Sequence, residues 1–187
     1  MEKIKRIKSI AIDAGHGGRD PGAISKAGSR EILEKDLNLR LSAELFGQAL
    51  EAGLKAYLIR GGDYDLPLAR RTELANNLGV DLYLSVHHNG AASSMATGTE
   101  TFYFPGSKTG QTAAETIQKA MVSSLKLPDR GIKTSNKLHV LRATRMAAIL
   151  IEPLFLTGDK DKALLEDKGY FRELARALVS GLTRLEF

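Results

Sequence analysis

The sequence contains no cysteine and no tryptophan. Without cysteine there can be no disulfide framework, no thiolate metal site and no cysteine nucleophile. Any metal site must therefore draw on histidine, aspartate and glutamate, and only four histidines are available. Aromatic residues make up 6% of the chain, so the core must be mainly aliphatic. No run approaches the ~20 apolar residues of a membrane-spanning helix, and no integral membrane contact is expected. A basic start, MEKIKRIK, is followed by an apolar stretch of only Ile10 to Ile12 before Asp13. A secretory signal needs an apolar region of about 7–15 residues, so none is expected in this sequence.

What is present fits one soluble domain over residues 1–187, with 43% hydrophobic and 26% charged residues. The net charge is +5, compatible with an anionic polymer as partner. No Lys/Arg run is interleaved with aromatics, so nucleic acid is not expected as a partner.

Strand patterns occur at Ser9–Asp13, Leu54–Ile59, Leu82–Val86, Gly98–Phe104, Leu138–Leu141 and Ala148–Ile151. Helical patterns occupy Asp36 to Gly53, Pro67–Leu78, Thr112–Leu125, Asp159–Leu165 and Tyr170–Leu185. The alternation predicts an α/β protein: a single twisted, mixed but mostly parallel β-sheet of about six strands, with helices on both faces.

Three of these strands end in chemistry-bearing residues. The first runs into Asp13-Ala-Gly-His16, the Leu82 strand into His87-His88-Asn89, and the Ala148 strand into Glu152. In such sheets sites collect beyond the carboxyl ends of strands, so these residues are expected on one rim. Glu31 and Glu34, just before the first helix, are further carboxylates of this kind, and helix capping is the competing role for each. His87 and His88 point to opposite sides if the strand continues, so one of them faces the rim. Two histidines and one carboxylate form a common ligand set of catalytic zinc, with water in the fourth position. Such a site also needs a carboxylate to move the water proton, and Glu152 has that chemistry. His139, inside Leu-His-Val-Leu, reads as a satisfied core or rim histidine.

The stretches IDAGHGGRDPGA, EKDLNL, LARRTELAN, YLSVHHNG, GTETFYF, RGIK and VLRATRMAAILIEPLFLT occur in one order along most of the chain. Together they resemble the zinc-dependent N-acetylmuramoyl-L-alanine amidases of bacterial cell-separation enzymes, sporulation lysins and phage endolysins. The resemblance implies one zinc ion held by His16, Glu34 and His87, with Glu152 as the catalytic glutamate. It places Asn89 and Arg142 beside the substrate. Glu34 follows His16 later than is usual in the family; Leu37 and Asn38 continue its motif in register, and Glu31 is the alternative ligand. The implied substrate is peptidoglycan, cut between N-acetylmuramic acid and the L-alanine of the stem peptide by zinc-activated water. The implied place of action is the bacterial cell wall, periplasmic or extracellular, and the expected state is a monomer. Competing readings are a zinc carboxypeptidase acting on free peptides and a wall-binding module without turnover.

Overall fold

The computed structural model describes residues 6–187. The first five residues of the basic start, on which the expectation about a secretory signal partly falls, lie outside the described residues.

The elements in chain order begin with β1 (Ser9–Ala14), β2 (Ile24–Ala27), β3 (Arg30–Leu33), α1 (Glu34–Glu51) and β4 (Lys55–Leu58). Next come α2 (Leu68–Leu78), β5 (Leu82–Val86), β6 (Thr99–Tyr103), α3 (Lys108–Leu125) and β7 (Asp129–Thr134). The chain closes with α4 (His139–Arg142), β8 (Ala147–Glu152), α5 (Asp159–Lys162), a 3-10 turn (Ala163–Glu166) and α6 (Tyr170–Leu182). Six strands form one sheet in the order β4-β1-β5-β8-β6-β7, and β2 and β3 form a separate hairpin. β4, β1, β5 and β8 run parallel; β6 pairs antiparallel with β8 and parallel with β7. The sheet is therefore mixed and mostly parallel, as the sequence pattern predicts.

Strand alternation assigns the two faces. Ile10, Ile12, Leu82, Leu84, Ile149 and Ile151 point into the aliphatic core that Leu41, Leu45, Ile117, Leu174 and Leu178 complete from α1, α3 and α6. Ala11, Tyr83, Ala148 and Leu150 face the other way and pack with Ala75 of α2 and Val140 and Leu141 of α4. Among the described residues, no helix is long and apolar enough to cross a membrane.

One local expectation is corrected, and two elements escape the pattern reading. Leu138–Leu141 is not a strand: Leu138 is the extended residue before α4, and the amides of Leu141 and Arg142 donate to its carbonyl. Neighbouring Val140 and Leu141 are both buried in the same cluster. A strand would have sent them to opposite faces, and four residues are too few to separate the two periodicities. The sixth strand of the sheet is instead β7, whose sequence DRGIKT lacks apolar alternation because it is an edge strand with no fully buried residue. The β2–β3 hairpin escapes pattern reading for the same reason, being polar and largely exposed.

The direction of β6 and β7 decides which of their residues reach the rim. Because both run against β8, their first residues lie where β1, β5 and β8 end.

Candidate metal centre

His16 follows β1 in a left-handed backbone conformation, φ 62°, which is uncommon for a residue with a side chain. Two glycines allow its ring and its neighbours to close together. A Cβ on Gly15 would collide with the His87 ring, and one on Gly22 would lie 2.5 Å from Glu34 Oε2. Buried Arg71, on α2, fixes the loop from beneath. Its Nη1 donates to Asp13 Oδ1 at 2.7 Å and to the Ala14 carbonyl at 2.6 Å, and its Nη2 donates to the His16 carbonyl at 2.5 Å. Buried Arg60 donates to the carbonyls of Ala14, Gly15, Gly62 and Lys35. Each arginine thus satisfies carbonyls that the end of β1 leaves unpaired.

His16, Glu34 and His87 converge. Their ligand-type atoms all lie within 4.8 Å of one another. Glu34 Oε1 is 3.1 Å from His16 Nε2 and 3.0 Å from His87 Nδ1. A tetrahedral centre with metal–ligand bonds of about 2.0–2.1 Å separates its ligands by about 3.4 Å, so the three atoms are spaced for a single small cation. Asp20 Oδ2 lies 2.8 Å from His16 Nδ1 and can accept a hydrogen bond from it; in that tautomer of the neutral ring, Nε2 presents its lone pair to the cluster.

Glu34 opens α1, where the helix dipole favours a carboxylate. Its Oε2 accepts from the Ala23 amide at 2.8 Å, and Oε1 faces Asn38 Nδ2 and the His88 amide at 3.3 and 3.2 Å. Burial alone would raise its pKa, but the hydrogen bonds and charges of His16 and His87 outweigh burial and hold it far below the usual range. For His16, burial lowers the pKa, and Glu34 and Asp20 together reverse that and raise it. Glu31, the alternative ligand, is exposed on β3 and takes no part in the cluster.

His87 and His88 separate as strand alternation requires. His88 turns into the aliphatic side, fully buried, with Nδ1 2.8 Å from Asn38 Oδ1 and Nε2 3.1 Å from the Tyr170 hydroxyl. Asn38 Oδ1 accepts from Nδ1, and the Tyr170 hydroxyl can donate to Nε2, an arrangement that suits the neutral ring. Burial pushes its pKa down to about 4.

Glu152 ends β8 and lines the same open cavity of about 500 Å³ as His16, Glu34, His87 and Asn89. Its Oε2 is shut from solvent and has no hydrogen-bond partner among the described residues. Burial, and then the charges of Glu34 and Glu100, push its pKa well above the usual carboxylate range. A carboxyl so placed is poised to exchange a proton with whatever occupies the cavity.

Asn89 also lines this cavity; its Nδ2 donates to Glu100 Oε1 at 2.8 Å. Arg142 is exposed on α4, donates to the Asn136 carbonyl at 3.3 Å, and does not line the cavity. His139 lies on α4 and lines a neighbouring cavity that shares His16 and His87; it is not the satisfied histidine expected, because its buried Nε2 has no hydrogen-bond partner among the described residues. Sequence reasoning named Asp13 without giving it a role and missed Arg60, Arg71 and Glu100. A signal existed for Glu100, a lone acid in the strand pattern GTETFYF, and for Arg71, inside LARRTELAN.

The fold and the rim define a class: an α/β protein with a His-Glu-His cluster beyond its parallel strands and, beside it, a glutamate whose Oε2 is buried without a partner among the described residues. The chain belongs to the N-acetylmuramoyl-L-alanine amidase family Amidase_3, whose model matches residues 10–184. It is 36% identical over 175 residues to the sporulation-specific N-acetylmuramoyl-L-alanine amidase of Bacillus subtilis (strain 168), covering 92% of this chain and 66% of that protein. It is 32% identical to the N-acetylmuramoyl-L-alanine amidase LytC of the same organism, covering 93% of this chain but only 34% of LytC. The crystal structure of N-acetylmuramoyl-L-alanine amidase from Clostridium difficile 630 superposes with a TM-score of 0.87 at 36% identity, covering 95% of this chain and 96% of that one.

Proposed function

We propose that this chain is a zinc-dependent amidase that hydrolyses the bond between N-acetylmuramic acid and the L-alanine of the stem peptide. The observation that carries the reading is the His16–Glu34–His87 triangle with the orphaned Glu152 Oε2 on the same cavity wall. His16 Nε2, Glu34 and His87 Nδ1 would hold the one zinc ion. When bound, zinc supplies a Lewis acid for the amide carbonyl and makes water acidic enough to react near neutral pH.

The chain's own groups do the rest. Glu152 takes the proton of the attacking water and delivers it to the leaving alanine nitrogen. Asp20 keeps the His16 ring in the tautomer and orientation that ligation requires. Asn89, its amide fixed by Glu100, lines the wall where substrate lies. Arg142, exposed on α4, would meet more distant parts of the substrate, the role that its motif suggests. The net charge of +5 favours approach to an anionic wall, an attraction that weakens with salt.

Digestion of purified peptidoglycan tests this, with and without chelator, for wild type and Glu152→Gln. New L-alanine amino termini that vanish with chelator, return with zinc and are absent in the variant support the proposal. New reducing sugar ends in their place, or cleavage of free peptides alone, would overturn it.

A further inference from the structure

The RGIK segment, Arg130 to Lys133, has no part in the hydrolytic step. It begins on the rim, because β7 starts where β8 ends. Glu100 of β6 stands directly opposite Glu152 of β8. Directly opposed residues of an antiparallel pair share a face, so the two carboxylates are neighbours. A β-bulge between Thr99 and Thr101 breaks the pairing with β7 at this point, and such bulges re-aim side chains.

Glu100 is only 5% exposed. Its Oε1 accepts from Asn89 in the cavity wall, and its Oε2 accepts from Arg130 Nε at 2.7 Å and from Lys133 Nζ at 2.5 Å. A buried carboxylate needs a cation or good donors, and one cation would neutralise it. Here there are two, which leaves one positive charge in excess. Both remain accessible: the side chains of Arg130 and Lys133 are 41% and 39% exposed. Both are also held in place. The Arg130 guanidinium lies 4.9 Å from the centroid of the Phe155 ring, and Lys133 Nζ lies 5.8 Å from that of Phe102. Arg130 Nη1 reaches the Thr97 carbonyl at a long 3.4 Å, and no described residue accepts from Nη2.

We propose that Arg130 and Lys133, anchored on Glu100, form a subsite for a carboxylate on the peptide arm of the substrate. A guanidinium edge beside an ammonium matches a carboxylate in shape and charge. The excess positive charge sits one carboxylate beyond Asn89 and the cavity that holds Glu152. N-acetylated sugars are uncharged, whereas the peptide beyond L-alanine carries free carboxylates, so the subsite selects that arm. Glu100 is the positioning residue: it ties the two cations to the cavity wall through Asn89. The subsite rests on the amidase reading.

The test uses the full zinc-loaded chain and two synthetic muramoyl-L-alanyl peptides. They are identical except that the residue after alanine carries a free carboxylate in one and a carboxamide in the other. The wild type should favour the carboxylate form about tenfold in kcat/KM, mostly through KM, with the preference shrinking as salt rises. Lys133→Met and Arg130→Met should each bring the ratio toward one. A merely structural role for these residues would lower both substrates together and leave the ratio unmoved. Should Arg130→Met fail to fold, Lys133→Met decides the matter alone. A wild-type ratio of one, or a ratio unchanged in the folded variants, overturns the subsite and leaves the amidase standing. Cleavage of neither peptide by wild type overturns the amidase reading, and the subsite with it.

Discussion

The two faces of the sheet differ in how much chemistry they carry. Toward α1, α3 and α6, the strands present Ile10, Ile12, Leu82, Leu84, Ile149 and Ile151, all fully buried and aliphatic. Toward α2 and α4, the same strands present Asp13, Tyr83 and Ser85, tied by hydrogen bonds, and the rim continues with Glu152 and Glu100. One face supplies most of the burial that stabilises the fold. The other holds buried polar groups, which are costly unless satisfied: Asp13 is met by Arg71, Tyr83 and Ser85, and Glu100 by Asn89, Arg130 and Lys133. Two side-chain atoms on this side are buried without a partner among the described residues: Glu152 Oε2, on the wall of the open cavity, and His139 Nε2, on α4. The division follows from the two-residue period of a strand: a chain can build an inert face and a reactive face from alternate residues.

Changes on either face should therefore separate stability from activity. The largest expected effect is Glu152→Gln, which should cut turnover by about 10²–10⁴-fold, the usual worth of a positioned acid–base group. Zinc content and melting temperature should stay near wild type, as metal analysis and thermal unfolding would show. A variant that lost its zinc would mean that Glu152 belongs to the metal set.

Ile149→Ala, on the aliphatic face, should reverse the pattern. Emptying a fully buried site costs about 2–5 kcal/mol, while the folded fraction keeps its activity. Denaturant unfolding alongside turnover per folded molecule measures both.

His88, fully buried on the aliphatic side, sharpens the comparison through pH. Its folded pKa of about 4 lies below its ordinary value of 6.5. The unfolded chain therefore binds its proton first as pH falls. This contribution to stability is whole above pH 6.5 and is lost progressively toward pH 4, at no more than about 1.4 kcal/mol per pH unit. The groups facing its ring, Asn38 and Tyr170, do not titrate in that window; of the charges nearby, Glu34 raises its pKa and His87 lowers it. Metal-free His88→Gln should show a flatter stability profile between pH 6.5 and 4 than metal-free wild type. Equal slopes would place the dependence elsewhere.

The smallest effect expected is for Asp20→Ala, remote from the core and largely exposed. Loss of a carboxylate behind a ligating histidine weakens metal binding by about 10–100-fold. Competition with a chelator of known affinity would read this, with unfolding little changed.

Much of the fold and of the candidate site was legible in the sequence. Long periodic segments such as Leu82–Val86 and the amphipathic α6 are written in residue spacing alone. His16, His87 and Glu152 stand directly after apolar strands, where an α/β sheet collects its chemistry. Glu31 and Glu34 could not be separated by residue type, since both are acids near a helix start; the start of α1 at Glu34 decides which one points into the rim. The polar β7, the β2–β3 hairpin and α4 were not legible, because exposed edges and one-turn helices lack a strong hydrophobic period.

The sequence by itself determined the layered architecture and the supply of chemistry: four histidines, no thiols, and carboxylates at strand ends. Those properties depend on residue type and near-neighbour spacing. Tertiary structure alone decided which groups meet. Glu100 faces Glu152 only because β6 runs against β8, and Arg71 reaches Asp13 only because α2 folds back beneath β1. Such pairings depend on strand direction and register, which long-range packing sets and which no local window of residues contains.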